Sequence, residues 1–324
     1  NAGQGKSVSG SGVGLTGDEA SNYLFDTTAQ IGTADIDRKQ LTATANVADK
    51  TYDGTTKADL SNLLLVGVVG GDEGKVTTTG TTGTFIDKNA GQGKSVSGSG
   101  VGLTGDEASN YLFDTTAQIG TADIDRKQLT ATANVADKTY DGTTTANLSN
   151  LALIGIVGGD EGKVTTTGTT GTFIDKNAGQ GKSVSGSGVG LTGDEASNYL
   201  FDTTAQIGTA DIDRKQLTAT ANVADKTYDG TTKADLSNLL LVGVVGGDEG
   251  KVTTTGTTGT FIDKNAGQGK SVSGSGVALT GDEANNYAFD NTAQIGTADI
   301  DRKQLTATAN VADKTYDGTT KANL

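Results

Sequence analysis

DIDRKQLTATANVADKTYDGTT, residues 35–56, is the stretch that decides the fold. Leu41, Ala43, Ala45 and Val47 alternate with Thr42, Thr44 and Asn46, the period-two pattern of a half-buried strand. Just before it, Ala34 and Ile36 alternate with Thr33 and Asp35, so one strand ends and another begins with almost no spacer. Asp53-Gly54 then offers the positive φ that a tight turn needs. The text recurs. DKTYDGTT begins at Asp49, Asp137, Asp225 and Asp313, and NAGQGKSVSGSGV begins at Asn1, Asn89, Asn177 and Asn265, always 88 residues apart. That interval exceeds one turn of a solenoid and suffices for a small domain. A boundary within DIDRKQ gives complete units at residues 38–125, 126–213 and 214–301. Residues 1–37 form the C-terminal part of one further unit and 302–324 the N-terminal part of another, as expected of an excerpt from a longer array.

Working outward through one unit, the pattern predicts about seven strands and no full helix, an all-β domain. LLLVGVV, residues 63–69, is apolar at both parities and predicts a centrally buried strand. The parity change between Val96 and Val101 predicts a bulge near Gly98 or Gly100. Only GDEASNY, residues 105–111, offers a short helical turn. In the middle unit Ala152, Ile154 and Ile156 stand where the first has Leu64, Val66 and Val68, a volume-conserving change expected of a core face. The architecture expected is a tandem array of small Ig-like β-sandwiches. The alternative is a β-grasp unit whose short helix would fall at residues 105–111.

Composition narrows the function. The chain has no His, Cys, Met, Trp or Pro. Missing histidine removes the commonest general base and metal ligand, and missing cysteine removes disulfides and thiolate sites. With net charge −14, the chain repels phosphate backbones and anionic headgroups, so neither nucleic acid nor direct membrane insertion is expected. No apolar run has the length to span a bilayer.

The candidate sites read mostly as structure. AGQGKS at 90–95 has Lys88 where a phosphate loop needs glycine and is followed by a strand pattern rather than a helix. Asp49, Thr51, Asp53 and Gly54 resemble half a calcium loop, but Leu60 occupies the position of the bidentate glutamate. A looser calcium site would combine Asp49 and Asp53 with Asp123 and Asp125 across a unit junction. The adjacent acids Asp72-Glu73 and Asp106-Glu107 do not face each other as glycosidase carboxylates must, and they read as solvated. Lys50, Lys75 and Asn110 recur as an isopeptide cross-link would require, yet read as ordinary surface residues. Tyr52, Phe85, Tyr111 and Phe113 are assigned to the core. No catalytic residue and no cofactor other than calcium is expected.

LTATANVADKTYDGTT (41–56), GDEGKV (71–76), FIDKNAGQGKSVSGSGVGLTG (85–105) and NYLFDTTAQIGTADI (110–124) together resemble the YDG-type repeats of large secreted bacterial adhesins, including filamentous-haemagglutinin-like proteins of two-partner secretion. The resemblance spans the unit. It implies a β-rich stalk module, extracellular at the bacterial surface or in the biofilm matrix, and no catalytic residues. The implied role is a structural stalk or fibre that extends a binding head. Its partners would be other matrix or cell-surface components, polysaccharide among them. The alternatives are a multivalent glycan- or receptor-binding array, gaining affinity by avidity, and a self-associating filament subunit.

Overall fold

The computed structural model describes all 324 residues. The chain divides into two compact units. One comprises Asn1–Thr132, Leu151–Thr169 and Gly188–Ala205, and the other Ala133–Asn150, Thr170–Ser187 and Gln206–Leu324. The first holds a complete copy of the repeat together with part of the next copy, which makes a repeat junction visible inside one unit. In the second, a complete copy at 214–301 joins part of its predecessor in the same way.

The protein is all-β, with single 3₁₀ turns and no α-helix. In the first unit, β1 (Gly3–Ser9) and β2 (Gln30–Ile36) form an exposed antiparallel ribbon. The complete repeat follows as β3 (Lys39–Val47), β4 (Lys50–Thr51), β5 (Lys57–Val66), β6 (Thr77–Thr79), β7 (Thr82–Phe85), β8 (Gly91–Ser97), β9 (Gly102–Thr104), β10 (Tyr111–Phe113) and β11 (Gln118–Asp125). A seven-stranded sheet runs β10-β3-β5-β7-β8-β11-β4, and β6 pairs with β9 separately. Its internal pairings are antiparallel, while short β10 and β4 add in parallel at the two ends.

Strand β5 is where the sheet changes direction. Its first residues pair with β7, and the rest pair with β3. Thr44 faces Leu64 while Asn46 faces Ser61, so β5 carries one extra residue at that point. Asn62 absorbs it at φ 50°, a left-handed conformation that asparagine tolerates better than most residues. The bulge turns the sheet back so that β11 lies on β3. Gly120 permits this closeness: a Cβ there would stand 2.8 Å from the Ala45 carbonyl oxygen and 2.7 Å from Val47 Cγ2. Leu41 and Ala43 of β3 point inward, with Ala58, Leu60, Phe85, Val96, Ile119 and Ile124 buried from the other strands.

Some expectations change. LLLVGVV is not buried on both faces: past the bulge Leu64 is 66% and Val66 49% exposed, while Leu63 and Leu65 turn inward. The middle copy's Ala152 and Ile154 therefore alter an outer surface rather than a core. The parity change after Val96 falls at a turn closed by Val101 N–H donating to the Gly98 carbonyl, just past a register shift in which β11 carries the extra residue opposite Val96 and Ser97. The helical element at 105–111 is reduced to a 3₁₀ turn at Ala108–Asn110. Residues after Asp301 carry no strand.

Replacing Gly120 with alanine is expected to destabilise the first unit by about 1–3 kcal/mol, because β11 must lift from β3. Urea denaturation checks this, and an unchanged midpoint would show that the two strands can separate at no cost.

Candidate functional site

The YDG turn sits where the chain leaves one repeat for the next. Short β4 lies parallel to the end of β11, pairing Lys50 with Ile124 and Thr51 with Asp125, and Tyr52 N–H donates to the Asp125 carbonyl at 2.8 Å. Asp53 Oδ1 accepts from Thr55 N (2.9 Å) and Thr55 Oγ1 (2.8 Å) and pairs with Lys50 Nζ at 2.6 Å, which fixes the turn. Gly54 adopts φ 78° and lies close to the following repeat: an added Cβ would meet Val157 Cγ1 at 3.0 Å. The turn thus aims Tyr52 away from its own repeat.

The tyrosine lands on the next copy. Tyr52 Oη donates to Asp160 Oδ2 at 2.8 Å, and Tyr199 Oη donates to the same oxygen at 2.7 Å. The rings meet edge to face, with centroids 5.3 Å apart. Asp160 belongs to the GGDEG loop and is 3% exposed. Lys88, from the IDKN loop of the first repeat, lies 3.5 Å from Asp160 Oδ1 and 2.8 Å from Glu195 Oε1, with its ammonium 5.9 Å from the Tyr52 ring centre. Asn198 completes the contact. Its Oδ1 accepts from Ala90 N at 2.8 Å, and its Nδ2 donates to Glu195 Oε2 at 2.7 Å.

The receiving surface is built by the GDEASNY turn. Gly193 at φ 113° presses against the Lys163 carbonyl, leaving no room for a Cβ, and Glu195 N–H donates to that carbonyl at 3.2 Å. The 3₁₀ turn Ala196–Asn198 then delivers Asn198 and Tyr199 to the junction. The second unit repeats the arrangement: Tyr140 and Tyr287 share Asp248 Oδ2 at 2.8 and 2.7 Å, and Lys176 pairs with Glu283 at 2.9 Å.

The electrostatics follow from the crowding. Burial pushes the Asp160 carboxyl upward, but hydrogen bonds from Tyr199 and Tyr52 and the charge of Lys88 outweigh it and hold the group below its ordinary 3.8. Burial, then the Asp160 carboxylate, raises the Tyr199 and Tyr52 phenols above their usual value. Glu195 is the largest of the influences that raise Lys88. The charged lysine, the carboxylates and the neutral phenols are therefore mutually stabilising. Both phenols are protonated and donate to the one carboxylate oxygen, Asp160 Oδ2.

The residues singled out from sequence fall as follows. Of the calcium candidates, Asp49 Oδ1 accepts from Asp123 N at 2.8 Å and Asp123 Oδ1 from Gly93 N at 2.6 Å, while Asp53 closes its own turn. Asp125 contributes its backbone carbonyl to Tyr52. No three acids converge as a metal-binding group. Lys50 braces the YDG turn through the Thr55 and Lys57 carbonyls, each at 3.2 Å. Asn110 accepts from Ala2 N at 2.7 Å, the contact that Asn198 makes with Ala90. Tyr52 and Tyr111 are buried as expected, although the hydroxyl of Tyr52 serves the neighbouring repeat. Sequence reading missed Asp160, Glu195 and Lys88, whose separations of 107 and 108 residues from their partners exceed one repeat. The signal available was the recurrence of GDEG, DKN and GDEA in every complete copy.

A family model described as YDG domain matches residues 37–118, 125–206 and 213–295. No curated protein and no solved structure matches the chain.

Two outcomes are expected of the junction. Tyr52→Phe removes one of two donors to a buried carboxylate and should cost about 1–3 kcal/mol in denaturant unfolding of the first unit. The pH dependence has two limbs. Asp160 has a depressed folded pKa, so its contribution is complete above 3.8 and is lost as pH falls through the lower folded value; the tyrosines, raised in the fold, contribute below 10.0 and lose that contribution as pH rises past it. Melting temperature against pH should therefore fall more steeply in acid for the wild type than for Asp160→Asn. Parallel acid limbs would exclude Asp160 as the titrating group.

Proposed function

The chain belongs to the YDG domain family, and we propose that it is the structural stalk or fibre region of a secreted bacterial surface or biofilm-matrix adhesin, serving to extend a binding head or build matrix fibres. The observation that carries this reading is the use to which the recurring polar motifs are put. Tyr52 of YDG, Asp160 of GDEG, Lys88 of DKN, and Glu195 and Asn198 of GDEASNY spend their side chains across the joint between adjoining repeats. A joint between domains bends freely unless its interface is well buried and apolar. Here β11 ends at Asp125 and the next strand begins at Lys127, while Tyr52 bridges the two copies. A stalk needs this kind of joint. The Ig-like sandwich belongs to the same reading, supported by two strand layers that share the bent β5 and by β11 packed on β3.

A second reading, lateral self-association, draws on the outer face of β10, β3 and β5. There Leu64, Val66 and Leu112 are at least half or nearly half exposed beside Gln40, Thr42 and Thr44, with no charge among them.

Small-angle X-ray scattering of the chain and of Tyr52→Phe/Tyr140→Phe tests the stalk. The wild type should scatter as the stiffer particle, and identical profiles would sink the reading. Saccharide binding by the unaltered chain on a glycan array would favour the multivalent-binding alternative, and concentration-dependent light scattering would favour self-association.

A further inference from the structure

We propose that each repeat junction is a site of oxidative phenol coupling, in which Tyr52 joins Tyr199, and Tyr140 joins Tyr287, through a carbon–carbon bond that makes the docking of adjacent repeats covalent. Three observations carry it. The ring pairs meet edge to face at 5.3 Å between centroids, so the two phenols of each junction are already in contact. Both phenolic oxygens converge on one carboxylate oxygen, within 2.7–2.8 Å, at each junction. That carboxylate is placed to take the proton a phenol must lose when it gives up an electron. Finally, the chain contains no Cys, Met, Trp or His, so tyrosine is the side chain on which oxidising equivalents settle.

The balance is as follows. A one-electron oxidant, such as a peroxide-driven haem peroxidase, acts twice and removes one electron from each phenol. Each phenolic proton passes to Asp160 Oδ2 and leaves by the partly exposed Lys88–Glu195 side of the site. The two tyrosyl radicals couple through ring carbons ortho to their oxygens. The hydrogens displaced at those carbons return to the oxygens as the rings regain aromaticity. Two hydrogens are lost per junction, and one peroxide is reduced to two waters. Burial serves the selectivity, because Tyr52 and Tyr199 at 1% and 2% exposure can meet each other but not a second chain.

The test oxidises the whole chain at low concentration, in one arm with a haem peroxidase and hydrogen peroxide. A second arm uses a photoexcited ruthenium complex with persulfate, which requires no docking of an enzyme. The second junction is the one to read, because Thr145 and Ala288 give the peptides bearing Tyr140 and Tyr287 sequences found in neither of the other complete copies. Expected are those two peptides joined, lighter by two hydrogens, from protein that still migrates as a monomer, together with the blue fluorescence of dityrosine. Tyr140→Phe should abolish this product. Tyr52→Phe should leave it in place, a control in which a junction tyrosine is changed but the second junction is intact. Products linked solely through the exposed Tyr23 and Tyr316, the absence of the Tyr140–Tyr287 product in both arms, or persistence in Tyr140→Phe of the species assigned to it, would overturn the proposal.

Discussion

A buried carboxylate is unfavourable unless its lone pairs are taken up, and at Asp160 they are taken up by groups from two repeats. Tyr199 comes from the same copy, while Tyr52 and Lys88 come from the preceding one. The first complete repeat shows what the receiving half looks like with the tyrosine of its own copy alone: Tyr111 still donates to Asp72 at 2.7 Å, and Asn110 still donates to Glu107 at 2.6 Å. Asp72 there is only part-buried. At Asp160 the arriving tyrosine brings both the second hydrogen bond and the apolar cover that excludes water from the carboxylate.

The same tyrosine organises the hydrophobic packing. Each repeat has a main core around Phe85, Val96 and Ile124 and a smaller group made by Leu41, Val76 and Tyr111. In the first unit the main core of one repeat runs through Tyr52 into Leu129, Val164 and Tyr199, the smaller group of the next. A domain of this size buries proportionately little of its surface. Joining its core to that of a neighbour recovers area that an isolated copy would leave wet, so each repeat has reason to be more stable in company than alone.

Much of this architecture was legible in the sequence. Alternation at Leu41–Val47 marks β3, Asp53-Gly54 marks its turn, and recurrence marks the repeat. What misleads is parity. The extra residue at Asn62 exchanges inner and outer positions within β5, so that past it Leu63 and Leu65 face inward while Leu64 and Val66 form an exposed apolar face that reads in sequence as core. The junction was hidden for a different reason. Asp72-Glu73 and Asp106-Glu107 looked like solvated pairs because each was weighed against neighbours in its own copy. Two partners of their equivalents Asp160 and Glu195, namely Tyr52 and Lys88, lie in the previous copy, beyond one period.

Differences among the copies bear on the same point. Relative to the first complete repeat, the second changes Lys57, Asp59, Leu64, Val66 and Val68, and the third changes Gly102, Ser109, Leu112 and Thr115. None of these is buried in the first repeat. Neither set touches Tyr52, Lys88, Asp72, Glu107, Asn110 or Tyr111, or the residues equivalent to them. Every complete copy therefore keeps the same donor end and the same receiving end, and any copy can follow any other with the same polar contacts at the joint. Inserting or deleting one 88-residue unit leaves each junction with the partners it had. Length can then vary without redesign of the interface, because the selectivity of the joint resides in side chains that belong to the repeat itself.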